Sequence, residues 1–263
     1  MSAPPHVARL TLEYDGREFA GWAKQPGRRT VQEEVERALA VLLRRDAVPA
    51  VVAGRTDTGV HALAQVASYE GPPVPVRGIN ALLPDDVAVL ESSAVAPGFS
   101  ARHDATSRAY CYRVLARPAR GAFLRGRALW WPHRVDRAAL WACASALIGT
   151  HDFTAFTPTE TEHVRFSRDV SAAFWTVSGD DDVLTFWIEA DAFMRNMNRV
   201  LVGTMLEVGG GRRSVEDFAS LLRGAPRSRA GATAPPHGLY LAGVGYDGVA
   251  VLEPGVGLVE RAE

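Results

Sequence analysis

The chain has 263 residues and a formal net charge of −1, with 47% hydrophobic and 22% charged residues. This composition is typical of a soluble globular protein, and the length suffices for one large or two modest domains. Because the sequence has no apolar run long enough to span a bilayer and does not begin with a secretion signal, we expect a cytoplasmic location and no membrane partner.

The N-terminal part of the chain predicts a strand, a helix and further strands. Leu10, Leu12 and Tyr14 alternate with polar residues, as in a half-buried strand. Apolar residues at helical spacing follow Thr30, which stands three residues before Glu33 as in a capping box. The other elements predicted here are strands at 49–53, 63–69 and 87–95 and a helix at 77–83.

The C-terminal part predicts strands and longer helices. Aromatic and β-branched residues mark a strand at 107–116, and Ser214 with Asp217 gives capping-box spacing before the last helix. The remaining elements are helices at 136–148, 193–208 and 215–223 and strands at 164–177, 183–191 and 239–246. This order suits an α+β fold of the ferredoxin-like kind.

Several features are interpreted as structural rather than functional. Cys111 and Cys143 form no CxxC pair and lie in apolar periodic segments, so we expect buried, reduced thiols. The seven histidines lack paired ligand spacing, and no metal site is predicted. Gly209-Gly210-Gly211 directly follows a predicted helix and is interpreted as its C-terminal cap.

Positive charge is concentrated in one stretch of the chain. Between Arg102 and Arg137 there are nine arginines against two acids, Asp104 and Asp136. A local basic surface can bind phosphates even on a nearly neutral protein. The alternative is a general bias toward arginine, since Lys24 is the single lysine.

One loop carries the strongest functional signal. Gly54-Arg55-Thr56-Asp57-Thr58-Gly59-Val60-His61-Ala62 places a carboxylate between two glycines, at the tip of a strand-loop-strand unit. One interpretation is structural: Arg55 and Asp57 form a local ion pair, and the glycines supply turn conformations. The other is that the loop displays Asp57 as a site residue.

This loop closely resembles the signature of the tRNA pseudouridine synthase A family, usually written Gly-Arg-Thr-Asp-Ala-Gly-Val-His-Ala. Thr58 departs from it, and Met197-Asn198-Arg199 stands where Met-Val-Arg is usual. Further blocks similar to the family's occur in the usual order: Tyr14-Asp15-Gly16, Phe19-x-Gly21-Trp22, Gln25, Thr30-Val31-Gln32, Gln65-Val66, Phe99-Ser100-Ala101-Arg102, Ala105 to Tyr112, Gly149-x-His151-Asp152-Phe153, Phe193-Met194, Arg199, Gly203 and Ala234-Pro235-Pro236-x-Gly238-Leu239. The resemblance therefore covers nearly the whole chain.

The resemblance implies both a fold and an activity. The implied fold has two ferredoxin-like or RRM-like α+β halves that share a mainly antiparallel sheet with a central cleft, divided here into domains 1–105 and 106–263. The implied enzyme is a homodimer that isomerises uridine to pseudouridine at positions 38, 39 and 40 of the tRNA anticodon stem-loop, without a cofactor.

The resemblance also assigns roles to five residues. It implies that Asp57 is the catalytic carboxylate, that Arg199 pairs with it, and that Tyr110 stacks on the target base. Arg55 and Leu239 are assigned to substrate binding. Pattern alone favours a core aromatic for Tyr110 and a snorkelling side chain for Arg199. Whether Asp57 adds to the sugar or removes its C2′ proton stays open.

Some residues and functions are set aside. Tyr112 is expected to contribute mainly to packing, and His61 and His151 to the framework. A catalytically silent RNA-binding or RNA-folding protein is the alternative function, although a binder has no need of a carboxylate that repels RNA. A nucleoside hydrolase would need a second acid or a metal cluster, which the sequence does not indicate.

Overall fold

The structure is a computed structural model that describes residues 6–161, 164–178 and 182–258. The chain forms two compact units. The first takes its described residues from Met1–Thr106 and Tyr240–Val249, and the second from Ser107–Leu239 and Ala250–Glu263.

The helices and strands follow one another in mixed order. Up to Val95 they are β1 (Val7–Tyr14), α1 (Val31–Leu43), β2 (Val51–Val52), β3 (His61–Glu70), α2 (Val76–Asn80) and β4 (Val87–Val95). They continue as β5 (Ala105–Leu115), β6 (Leu129–Trp130), α3 (Arg137–Ser145), β7 (Gly149–Asp152), β8 (Ser167–Ser178), β9 (Val183–Ala190), α4 (Met197–Gly209), α5 (Val215–Leu221), β10 (Leu239–Tyr246), β11 (Leu252–Glu253) and β12 (Gly257–Leu258).

In the first unit, β1 pairs antiparallel with β3 on one side and with β4 on the other. The other edge of β3 is shared between two strands. β2 pairs with it antiparallel at Ala67 and Ser68, and β10 pairs with it in parallel at His61 and Ala62. The connection from β2 to β3 therefore begins and ends at hydrogen-bonded strands, which hold its two ends in place.

Helix α1 begins where the sequence predicts, but it is not capped as predicted. Thr30 occupies the N-cap position, yet its side chain makes no capping hydrogen bond. The first backbone N–H groups of α1 instead donate to carbonyl oxygens of Gly21 and Trp22, at 3.3 and 3.0 Å. The capping-box prediction is wrong because a neighbouring loop satisfies these donors.

In the second unit, β5, β9, β8 and β7 follow one another in an antiparallel sheet, and β6 pairs in parallel with the end of β5. Helix α3 packs on β8 and on α4 and α5. Buried Glu189 of β9 accepts backbone hydrogen bonds from Val251 and Leu252 at 2.9–3.1 Å, which fastens this later segment to the sheet.

Antiparallel pairing predominates within both units, and the predicted α+β class is confirmed. The predicted strands at 87–95 and 239–246 coincide with β4 and β10. Helix α4 begins four residues later than predicted, because Asn196 adopts a left-handed conformation with φ 62° that a right-handed helix cannot include. The strands β6 and β7 were not predicted, because they are too short to show alternation of apolar and polar residues.

The predictions for the two cysteines and for the end of helix α4 are confirmed. Cys111 and Cys143 are free and buried, and burial raises the pKa of both thiols to about 12. Helix α4 ends in a Schellman arrangement, in which Gly211, with φ 72°, donates to Val208 and Arg212 donates to Glu207. In the described ranges, every helix falls short of the length and apolar character of a membrane span.

Candidate active site

Asp57 lies in the loop that joins β2 to β3 in the first unit. The backbone N–H of Ala53 donates to the carbonyl oxygen of Val66 at 2.9 Å, which extends the pairing of the two strands. The loop proper therefore spans only residues 54–60. A loop this short, held by paired strands at both ends, has little freedom to move.

Thr56 anchors the loop from inside. Its side chain is buried, whereas those of Arg55 and Asp57 on either side are exposed. Thr56 Oγ1 lies 2.8 Å from Tyr14 Oη, and the Thr56 carbonyl oxygen accepts from the Trp22 N–H at 3.0 Å. The buried threonine thus fixes the backbone on which Asp57 is displayed.

Gln65 and Gly21 complete the support of Thr56. Gln65 Nε2 donates to the Gly54 carbonyl oxygen at 2.7 Å and to Tyr14 Oη at 3.2 Å. Burial raises the pKa of Tyr14 to about 12, so the phenol stays protonated and can donate to Thr56. Gly21 has φ 95°, and a Cβ there would lie 2.6 Å from the Thr56 carbonyl oxygen. Only glycine allows this close approach.

A tight turn sets the direction of Asp57. The Val60 N–H donates to the Asp57 carbonyl oxygen at 3.1 Å, and Gly59 has φ 77°, as at the third position of a type II turn. Gly16 lies directly against this turn, where an added Cβ would be 2.0 Å from the Val60 carbonyl oxygen. The turn is therefore held by its own hydrogen bond and by a neighbouring backbone.

The charge of Asp57 is not neutralised by its own loop. In the described part of the first unit, no ion pair joins Arg55 to Asp57, and both side chains are exposed. The local ion-pair interpretation is therefore wrong, and of the two glycines expected to have positive φ, Gly59 does and Gly54 does not. Within residues 6–161, 164–178 and 182–258, no three His, Cys, Asp or Glu side chains cluster as a metal site would require.

A pocket of about 280 Å³ opens beside Thr58 in the same unit. Three arginines line it. Arg17 and Arg29 are each held by a carboxylate of this unit. Arg28 is exposed and has no ion-pair partner among the described residues. The exposed carboxylate of Glu18 also lines the pocket, so the charge of Arg28 is offset there and does not indicate a phosphate site.

Strand β5 places two tyrosines on one face in the second unit. Tyr110 is 8% exposed, and its ring meets that of Phe193 edge-on, with the centroids 4.9 Å apart. Tyr112 is fully buried, and its hydroxyl donates to the Pro235 carbonyl oxygen at 2.8 Å. Burial raises the pKa of Tyr112 above its ordinary value. The expectation that Tyr112 contributes to packing is confirmed.

Arg199 ties the start of α4 to the chain segment before β10. Its Nε donates to the Ala234 carbonyl oxygen at 2.7 Å, and an Nη donates to Asn196 Oδ1 at 2.9 Å. The Arg199 carbonyl oxygen in turn accepts from the Ala234 N–H at 3.0 Å. The side chain is half-buried, so Arg199 is built into the unit rather than snorkelling freely.

Leu239 follows the same segment and begins β10. It is 7% exposed, and its N–H donates to the Pro236 carbonyl oxygen. A Cβ on Gly238 would lie 2.6 Å from the Tyr112 ring. Tyr112 and Arg199 therefore both hold the segment that presents Leu239.

The predicted site residues fall in both units. Asp57 and Arg55 belong to the first unit, and Tyr110, Arg199 and Leu239 to the second. Arg199 donates a hydrogen bond to Ala234, which lies five residues before Leu239 in the same chain segment. The pairing of Arg199 with Asp57 remains a prediction.

Sequence reasoning did not foresee how Tyr14 and Gln65 support the loop. Both belong to blocks of the family resemblance, but their hydrogen bonds to the loop span 42 and 11 residues of chain, and the bond between Gln65 and Tyr14 spans 51. The available signal was Gln65 itself, an amide with apolar neighbours on both sides in the strand. It is fully buried, and buried amides require hydrogen-bond partners.

Comparison with known proteins identifies the class. Residues 143–247 match the family model described as tRNA pseudouridine synthase. Together with relatives about 40% identical over about 90% of the chain, this match places the chain in the class of pseudouridine synthases, isomerases that act on tRNA.

Individual relatives narrow this class. The tRNA pseudouridine synthase A of Bacillus pumilus is 40% identical over 245 residues, which cover 91% of this chain and 98% of the relative. That of Bacillus subtilis is 41% identical over 245 residues, with the same coverage. That of Chromobacterium violaceum is 42% identical over 242 residues, covering 90% of this chain and 92% of the relative. The chain belongs to the tRNA pseudouridine synthase A family, and its activity is pseudouridine formation in tRNA.

Proposed function

We propose that this enzyme isomerises uridines at positions 38, 39 and 40 of the tRNA anticodon stem-loop, with Asp57 as the reacting carboxylate. The observation that carries the proposal is the display of Asp57. It is exposed on a short loop whose inner face is fixed by a buried threonine. A carboxylate held in this way can meet a substrate without first breaking a local ion pair.

The chemistry needs one carboxylate and moves one hydrogen. The N1–C1′ bond of uridine breaks, the uracil turns, and a C5–C1′ bond forms in its place. C5 then loses its proton, and N1 is protonated. Carboxylates react with electron-poor sugar carbons in glycosidases. Asp57 either adds to C1′ and later leaves, or removes the C2′ proton and returns it, and both routes restore the carboxylate.

The other site residues have roles in the same reaction. Arg199 keeps Asp57 ionised and oriented through charge-assisted hydrogen bonds. Tyr110 offers its ring to the target base, because a base taken out of its stack loses about 1–3 kcal/mol that an aromatic side chain partly restores. Arg55 contacts the RNA next to the target nucleotide, and Leu239 contacts the base.

The oligomeric state, the cellular location and the lack of a cofactor are proposed from the family resemblance. We propose that the enzyme works as a homodimer in the cytoplasm, without a cofactor.

The alternative, a silent RNA-binding protein, is separated from the enzyme by hydrogen release. The assay uses tRNA transcribed with uridine that carries tritium at C5, in a set of transcripts that keep uridine at only one of positions 38, 39 and 40. We expect wild-type protein to release tritium from each transcript, and none from a control with cytidine at all three. Binding without any release would favour the silent protein. Release from the all-cytidine control would place the target elsewhere.

A further inference from the structure

The loop between β5 and β6, residues 117–127, displays a large aromatic side chain in the second unit. Phe123 is 94% exposed. A ring exposed to this extent offers nearly its whole surface to a ligand, and aromatic residues are enriched where proteins bind partners. This segment, called the Phe123 loop below, lies within the arginine-rich stretch of the sequence and has no role in the proposed site.

The exposure of Phe123 does not come from a lack of packing around it. The next residue, Leu124, packs against the buried cluster of Leu115, Ala128 and Val183. The Leu124 carbonyl oxygen accepts backbone hydrogen bonds from the two residues Arg127 and Ala128, at 2.9 and 3.1 Å. The loop is therefore anchored through Leu124, while its neighbour points outward.

Two further contacts hold the Phe123 loop, one at Arg117 and one at Gly121. Trp130 Nε1 donates to the Arg117 carbonyl oxygen at 3.1 Å. A Cβ on Gly121 would lie 2.9 Å from the Leu115 side chain, so the backbone passes close to the core. The loop is thus a fixed support for Phe123.

The charges around Phe123 lack carboxylate partners. Arg117, Arg120 and Arg125 form no ion pair with any described residue. Arg120 instead lies over the Trp130 ring, 4.9 Å from its centroid. Arginines elsewhere on the protein differ: Arg29, Arg165 and Arg213, for example, each contact a carboxylate. Three arginines of the Phe123 loop therefore carry positive charge that no described carboxylate compensates.

We propose that the Phe123 loop is a second tRNA-binding surface, on which the arginines bind phosphates and Phe123 stacks on an unpaired base. Aromatic rings flanked by basic side chains are the means by which proteins hold single-stranded RNA without reading its sequence. The same loop of a second copy is a poorer occupant, because it would oppose two sets of unpaired arginines. The inference rests on tRNA as the substrate and not on the role of Asp57.

The test measures equilibrium binding of an unmodified tRNA transcript at several salt concentrations. For Phe123→Ala we expect about tenfold weaker binding with an unchanged salt dependence, because stacking releases no counterions. For Arg120→Gln with Arg125→Gln, the slope of log K against log salt should fall by about 0.7 to 0.9 per lost phosphate contact. The matched control is Val256→Ala, another exposed apolar residue of the second unit, which should bind as the wild type does.

Three outcomes would overturn the inference. Phe123→Ala could bind as tightly as wild type, or the double arginine variant could keep the full salt slope. Phe123→Ala could also change the oligomeric state in sedimentation while leaving tRNA affinity per subunit intact, which would make the loop an interface between copies. The binding assay needs no turnover, so a failure of the Asp57 mechanism would leave its result interpretable.

Discussion

The Asp57 loop and the Arg199 region are held in place in different ways. In the first, the reactive side chain is exposed, and buried neighbours such as Thr56 fix the backbone of the loop. In the second, Arg199 itself holds the structure, through its hydrogen bonds to Ala234 and Asn196. The difference predicts that substitutions at Asp57 separate activity from stability, whereas substitutions at Arg199 change both.

The largest expected loss of stability comes from Gly16→Ala in the support of the Asp57 loop. The new Cβ would lie 2.0 Å from the Val60 carbonyl oxygen, so the backbone has to move. We expect the free energy of unfolding to fall by about 3 kcal/mol or more, measured in urea. Gly78→Ala is the control, because a Cβ there meets only ordinary contacts at 3.6 Å. Equal stability of the two variants would show that the turn is not held by close packing.

The second-largest loss of stability is expected for Arg199→Gln. It removes the charged hydrogen bonds to Ala234 and Asn196, and we expect about 2 kcal/mol of destabilisation together with reduced activity. Arg195→Gln serves as the control, since Arg195 is exposed and has no ion pair in the described part of the chain. Thermal unfolding and tritium release are measured on both variants. Unaltered stability of Arg199→Gln would remove the contrast between the two regions.

Thr56→Val should have a smaller effect on stability. Valine keeps the shape but loses the hydrogen bond to Tyr14, which costs about 1 kcal/mol. Because Thr56 positions the loop, we also expect a lower kcat with little change in KM. The neighbouring Thr58→Val, at an exposed position, tests whether the loss is specific. If both variants lowered kcat equally, the buried hydrogen bond would not be what positions Asp57.

The smallest change in stability is expected for Asp57→Asn. The side chain is exposed and has no ion pair within its unit, so the free energy of unfolding should change by less than about 0.5 kcal/mol. Urea unfolding of this variant beside the wild type checks the expectation. A clear destabilisation would mean that Asp57 belongs to the framework, as Thr56 does.

Local patterns in the sequence predicted much of the fold. The alternation in β1 and the apolar spacing in α1 placed both elements, and the bounds of β4 and β10 were predicted to the residue. What local patterns could not predict depends on tertiary contacts. The backbone N–H groups at the start of α1 donate to the carbonyl oxygens of Gly21 and Trp22 rather than to the Thr30 side chain. The loop that carries these two carbonyl groups lies against the start of the helix.

The grouping of β10 shows the same limit. Element order and the family resemblance placed 239–246 in the second half. In the structure, Tyr240–Val249 belongs to the first unit, where Tyr240 and Leu241 pair in parallel with His61 and Ala62. Strand partners this far apart in sequence leave no periodic signal in either segment.

The candidate site was predicted through resemblance, and its support emerged only from the structure. The signature loop identified Asp57, yet neither composition nor spacing shows that Tyr14 is hydrogen-bonded to Thr56 and Gln65 to Tyr14. Pattern alone would also have left Tyr110 as a core aromatic, and its low exposure agrees with substantial packing. Its contact with the target base remains a prediction.

The most direct test of the account compares tritium release by wild-type protein and by Asp57→Asn. Both are supplied at saturating concentration with tRNA labelled at C5 of its uridines, and tRNA binding is measured alongside. We expect release by the wild type, none by Asp57→Asn, and equal binding of tRNA by the two proteins. Release by Asp57→Asn at the wild-type rate would contradict the claim that the displayed carboxylate performs the isomerisation.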